Sequence, residues 1–135
     1  MSDLPNKIVC TICSGHKSTL PGLIPAYLRY ASSRIDLVHS ISDQQKLPFF
    51  ILSGKYGLIN ANQSIPYYDH LLLADEVEHL AEIVKVQLKG GNWKSIDFYV
   101  KTNDPAWKPY VEVITKAAND TGITLNKLEI SSAIS

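Results

Sequence analysis

Ile8-Val9-Cys10-Thr11-Ile12-Cys13, closed by Ser14-Gly15, is the stretch on which the fold turns. It is β-branched and apolar with no polar alternation, which suits a strand buried on both faces. Outward from it, apolar positions at Ile24, Tyr27, Leu28, Ala31, Ile35 and Val38 keep helical spacing. They predict one long helix, or two abutting ones, between about Pro21 and Gln44. Pro48-Phe49-Phe50-Ile51-Leu52 reads as a second buried strand ended by Ser53-Gly54, and a polar loop follows from Lys55 to about His70. Asp75-Glu76-Val77-Glu78 has the form of a capping box. The helix it opens carries Val77, Leu80, Ala81, Val84 and Leu88 on one face, and Gly90-Gly91 close it. Ile96 to Val100 is a third strand. Asn103-Asp104-Pro105 starts a third helix with inner face Trp107, Tyr110, Val111, Ile114 and Ala118. Gly122 stops it, and Ile123 to Ile130 forms the last strand.

The order β-α-β-α-β-α-β predicts an α/β fold: a three-layer, Rossmann-like sandwich around a small, mostly parallel four-stranded sheet. Such sheets place ligands beyond the carboxyl ends of the strands, at a switch in strand order. Three loops qualify here: Cys13–Thr19, Ser53–His70 and Lys101–Asp104.

The 135 residues suit one domain over 1–135, long enough for a real core without metal or disulfide support. Thirteen basic side chains balance thirteen acidic ones, and neither half is strongly basic. That argues against a surface built to grip duplex nucleic acid by phosphate neutralisation, so only weak, salt-sensitive duplex binding is expected. No signal-like leader is expected from Met1 to Lys7, and the longest apolar run, Leu47 to Leu52, is far short of a membrane span. The expected setting is cytoplasmic, with no membrane partner, reduced thiols and no cofactor; a homo-oligomer is compatible with the sequence. Cys10 and Cys13 fall on opposite faces of a strand, which excludes a helix-start redox pair. The four histidines have no metal-ligand spacing, so no metal is expected. His39 and His79 read as solvated helix positions, whereas His16 and His70 sit on two different candidate loops and form a possible acid–base pair. Lys101 and Asp104 flank the third loop and should be exposed, and Tyr99 fits a core position better than a site.

The first loop, Cys13-Ser14-Gly15-His16-Lys17-Ser18-Thr19, lacks the spacing of a nucleotide-triphosphatase loop. A Gly-bearing turn after a strand still presents backbone N–H groups, and Lys17 adds a cation, unless it simply extends into solvent. The second loop holds Ser53, Gly54, Lys55, Tyr56 and Gly57, then Tyr67, Tyr68 and Asp69. Two glycines permit close backbone approach, tyrosines can stack on a planar base, and Asp69 can accept hydrogen bonds from its edge. The bland alternative is a packed loop that buries its own tyrosine rings.

The run Ile51-Leu52-Ser53-Gly54-Lys55-Tyr56-Gly57-Leu58-Ile59, followed by Ile65-Pro66-Tyr67-Tyr68-Asp69, resembles the YaaA-like group. That group comprises the peroxide-stress YaaA proteins and small domains of uncharacterised function. The small members also carry a Cys-Ser-x-x-Lys turn, matched by Cys13-Ser14-Gly15-His16-Lys17, and the archaeosine synthase core domain is distantly similar at both places. The resemblance covers about Ile8 to Leu72. It implies a related fold and site, and chemistry near modified purines, because in archaeosine synthase a lysine bonds covalently to a 7-deazaguanine nitrile. Cys13 and Lys17 stand at the matching positions. The flanking pattern departs from that enzyme, since Ile12 precedes Cys13 and Ser18 follows Lys17.

The leading expectation is a pocket of base or nucleotide size that binds or acts on a modified purine, or on nucleic acid carrying one. Lys17, Cys13 and Ser53 would be its catalytic residues, with Lys17 either nucleophile or electrostatic clamp. Ser14, Gly15, Gly54, Lys55, Tyr56, Gly57, Tyr68 and Asp69 would bind the ligand. The competing expectations are a non-catalytic nucleotide- or nucleic-acid-binding module of stress or defence, and a scaffold whose loop meets a protein.

Overall fold

The computed structural model describes residues 6–130. The leader expectation for Met1 to Pro5 therefore lies outside the described residues, as do the last five positions of the proposed 1–135 domain. The strands are β1 (Lys7–Ile12), β2 (Ile24–Pro25), β3 (Phe49–Ser53), β4 (Gly57–Asn60), β5 (Ser64–Ile65), β6 (Ser95–Val100) and β7 (Thr124–Glu129). The helices are α1 (Ala26–Arg29), α2 (Ser33–Gln45), α3 (Val77–Lys89) and α4 (Lys108–Thr121). The protein is mixed α/β with a mostly parallel sheet.

That sheet has five strands in the order β4-β3-β1-β6-β7, not four. β3, β1, β6 and β7 run parallel, with Val9 beside Phe49 on one flank and beside Asp97 on the other. β4 is the addition, antiparallel to β3 through a hairpin that pairs Ser53 with Gly57. The expected loop from Lys55 to His70 thus contains β4 and β5, because Leu58 and Ile59 continue the apolar burial of β3. β1 is central and needs apolar residues on both faces: Ile8, Val9 and Cys10 are fully buried.

The helix expected from Pro21 to Gln44 is broken. Pro21 and Gly22 bend the chain, Ile24 pairs with Ile65 in β2, and α1 is one turn long. Ser32 then caps α2 by accepting from Ile35 N–H. The α3 start also differs. Glu76, rather than Glu78, reaches back to accept from Leu73 N–H at 2.9 Å, and a 3₁₀ turn over Ala74–Glu76 precedes the helix. At α4 the reading holds: Asp104 accepts from Ala106 N–H, Pro105 follows, and Gly122 ends the helix in the left-handed conformation. α3 and α4 pack on each other, while α2 lies against β1 and β3. Among the described residues no helix is long and apolar enough to cross a membrane.

Candidate functional site

The chain leaves β1 towards β3 on one side and leaves β6 towards β7 on the other, so the strand order reverses between these two neighbours. A crevice opens where adjacent outgoing loops diverge in this way. There the structure has a cleft of about 510 Å³. The first loop supplies Cys13, Ser14, Gly15, His16 and Lys17; Asp69, His70 and Leu71 form a second wall; Lys101, Asp104 and Trp107 form a third.

Arg34, which sequence reasoning passed over, dominates its interior together with Trp107 and Tyr110, expected only as helix core. Arg34, 6% exposed, donates from Nη1 to the Ile12 carbonyl at 2.7 Å and to Thr11 Oγ1 at 3.1 Å, and from Nη2 to the Cys13 carbonyl at 3.2 Å. All three acceptors are neutral, and among the described residues no carboxylate pairs with it. Burial lowers its pKa to about 10, with the nearby Cys13 acting in the opposite direction, so the guanidinium is charged at neutral pH. Its other flank stacks on Trp107, 4.8 Å from the ring centroid. The signal was present: Arg34 shares the helical face of Ala31, Ile35 and Val38, where an arginine has no reason to be unless it is held. Trp107 and Tyr110 were read as helix core. Both are buried, yet both also line the cleft, because the first turn after a strand's carboxyl end faces the crevice.

Lys17 is half-buried. Its ammonium lies 4.9 Å from the Tyr68 ring centroid and 5.9 Å from that of Tyr30, and two phenol faces stabilise positive charge there. Asp69 lies at the exposed rim and forms no ion pair with Lys17. Cys13 is buried, and its thiol donates to the Tyr110 hydroxyl at 3.8 Å, while Leu72 N–H donates to the same oxygen at 3.3 Å. Ser14 Oγ donates to the His16 carbonyl at 2.6 Å, folding the loop so that the N–H groups of Ser14, Gly15 and His16 bond to no backbone carbonyl of the described residues. His16 and His70 do line one cleft, and His70 pairs with Glu76 at 3.0 Å.

The second loop behaves differently. Ser53 Oγ accepts from the N–H groups of Lys55 and Tyr56, both at 3.1 Å, and shares a 2.8 Å hydrogen bond with the Tyr68 hydroxyl, which in turn bonds to Tyr30. Burial, reinforced by Cys13, pushes both of these phenols well above their ordinary range, so they stay protonated. Ser53, Tyr56 and Tyr68 therefore pack together beneath Lys17, while Gly54 faces Leu72 and Tyr110 and Gly57 faces α3, and none of the five lines the cleft. Lys55 covers the Tyr56 and Tyr68 rings from outside, at 5.3 and 5.7 Å. Tyr67 points to solvent, 53% exposed.

Other residues settle outside the site. Cys10 is fully buried, which raises its thiol far above the ordinary range. Tyr99 is half-buried, and its carbonyl accepts from Thr11 Oγ1 at 2.9 Å. His39 departs from its solvated reading: it stacks on Phe49 at 5.7 Å and lies 4.5 Å from the Tyr27 ring. Lys101 is half-buried against the cleft and not fully exposed.

No family model, curated protein or solved structure matches the chain. The YaaA-like resemblance therefore rests on its two motifs alone.

Proposed function

We propose that this chain binds a ligand of nucleobase or nucleotide size in the cleft between β1 and β6, in the manner expected of a YaaA-like domain. The ligand class is a modified purine, free or carried by nucleic acid. The observation that carries the reading is the composition of the cleft: its volume suits such a ligand, Trp107 and Tyr110 offer flat apolar surface, and Lys17 and Arg34 offer charge. A three-layer, Rossmann-like arrangement belongs to the same proposal. It is supported by the opposite directions of the crossovers from β1 and β6 and by the separate contacts of α2 and of the α3–α4 pair.

Within this reading Lys17 is an electrostatic clamp. Its seat against the Tyr68 and Tyr30 rings places a point charge on the cleft wall, ready to meet an anionic or carbonyl-bearing group. Cys13 sits beside the ligand as a thiol already bonded to Tyr110. Ser53 acts one layer below, by holding Tyr68 under Lys17. The absence of a free activated nucleophile among these three favours a non-catalytic binding module over an adduct-forming enzyme.

Titration of wild type, Lys17→Arg and Lys17→Ala with a purine nucleoside series tests both points. A clamp predicts partial retention in Lys17→Arg and loss in Lys17→Ala. If both variants bind as the wild type does, Lys17 lies outside the site. A protein–purine adduct seen by mass, lost in both variants, would establish the nucleophile role instead.

A further inference from the structure

We infer that the ligand of this cleft carries a phosphate monoester, held at the end formed by Ser14, Gly15, His16, Lys17 and Arg34. The inference rests on the cleft being the ligand site, and it adds the charge of what binds there.

The argument is electrostatic. A guanidinium buried among neutral oxygens keeps its net charge, and Arg34, unlike the buried Arg29, lies on the wall of the cleft, where that charge can act on an arriving anion. Arg34 is in that state: nearly buried, bonded to the Ile12 and Cys13 carbonyls and to Thr11, with no carboxylate within ion-pair distance among the described residues. Burial lowers its pKa only to about 10, so the charge is kept at neutral pH. Lys17 is a second cation on the same wall and likewise has no carboxylate partner among the described residues.

Two carboxylates, Asp69 and Asp104, also line the cleft, but neither forms an ion pair with Lys17 or Arg34. Asp104 accepts from Ala106 N–H as the cap of its turn, and Asp69 is exposed at the rim. His70 already has Glu76. In the loop that carries Lys17, the N–H groups of Ser14, Gly15 and His16 bond to no backbone carbonyl of the described residues, as in the concave loops that receive oxyanions. Gly15 has open space around its Cβ position, so the turn leaves room above the backbone for such a group. A tetrahedral dianion can accept from backbone N–H groups and a flanking ammonium together, which a neutral base cannot.

The test is calorimetric titration of the full chain at low salt with guanosine, guanosine 5′-monophosphate and inorganic phosphate, with amide shifts followed by NMR. The monophosphate should bind about tenfold more tightly than the nucleoside, and the advantage should shrink as salt rises. Ser14, Gly15 and His16 amides should shift with the monophosphate and with phosphate alone. Lys17→Gln, at a half-buried loop position that should not threaten folding, should erase the advantage, so that this variant binds the monophosphate no more tightly than it binds guanosine. Arg34→Lys keeps the charge but loses the planar fork, and should weaken phosphate binding if it folds.

Equal binding of guanosine and its monophosphate overturns the inference and leaves the pocket reading intact, as does an advantage that survives Lys17→Gln. Lys17-dependent phosphate binding with no response to guanosine supports the anion site and overturns the purine reading. No binding of any probe overturns both.

Discussion

Arg29 shows how much structure one side chain can hold. It is fully buried, and its Nη atoms donate to the carbonyls of Ser18, Leu20, Gly22 and Ile65 at 2.7–3.2 Å, tying the loop after Lys17 to β5. Hydrogen bonds to a charged group contribute roughly 1.5–3 kcal/mol each, and a relaxing loop recovers part of them. Arg29→Met should therefore cost about 3 kcal/mol in urea denaturation. Arg29→Lys should rescue little, because one ammonium cannot reach four carbonyls across a planar fork. A loss below about 1 kcal/mol for Arg29→Met would contradict this role. Tyr68 separates stability from binding at the same scale. Tyr68→Phe removes the bonds to Ser53 and Tyr30 but keeps the ring under Lys17, so stability should fall by about 1–2 kcal/mol while ligand affinity holds.

Among the elements, the β3–β4 hairpin is the most tightly specified. Gln87 of α3 accepts from Leu58 N–H at 2.7 Å and donates to the carbonyls of Tyr56 and Leu58, so a helix side chain completes the edge of the turn. Gly57 has φ of 75°, and a Cβ there would lie 2.5 Å from Gln87 Oε1. Gly57→Ala should cost at least about 1–2 kcal/mol for the left-handed backbone alone, measured as a lower denaturation midpoint. The end of α2 offers the opposite sign. Lys46 holds φ of 57° without being glycine, and Leu47 N–H donates back to the Ser42 carbonyl to close the helix. Lys46→Gly should stabilise the protein by up to about 1 kcal/mol, since relief of the left-handed strain exceeds the entropy that glycine adds to the unfolded chain.

For the whole molecule, alkaline stability reads out the buried phenols. Burial raises Tyr30, Tyr68 and Tyr110 above their ordinary value near 10, and Cys10 above its own. Above that pH the unfolded chain releases these protons while the folded one retains them, so their contribution is full below about pH 9–10 and is lost as pH rises. Arg34 opposes this in sign, because its folded pKa is lowered to about 10, but it is one group against four. The urea midpoint should fall between pH 9 and 11, and less steeply in Tyr68→Phe. A flat profile would mean that these hydroxyls are solvated. Zero net charge makes a separate demand on the surface: duplex DNA should bind no tighter than roughly 10⁻⁴–10⁻⁶ M at physiological salt. Nanomolar affinity in a filter-binding or polarisation assay would refute that.

The strands, their parallel order and the crevice beyond their carboxyl ends were legible in the sequence, because burial on both faces forces continuous apolar runs and helical crossovers force the strand direction. Lys17, Cys13, Ser14, Gly15 and Asp69 reach the cleft for that reason: each follows a recognisable strand or motif. The fifth strand was hidden because Gly57–Asn60 is short and begins in glycine, so its pairing with β3 depends on a turn that Ser53 and Gln87 fix from outside it. The division of the second loop also lay beyond local pattern. A tyrosine presents the same letter whether its ring faces a ligand or packs under a lysine, and only tertiary contacts sent Tyr68 inward and Tyr67 out. Arg29 and Arg34 mark the same boundary. Sequence placed them on helices, but what a buried charge touches is set by carbonyls from distant segments, and those acceptors meet only when the chain is folded.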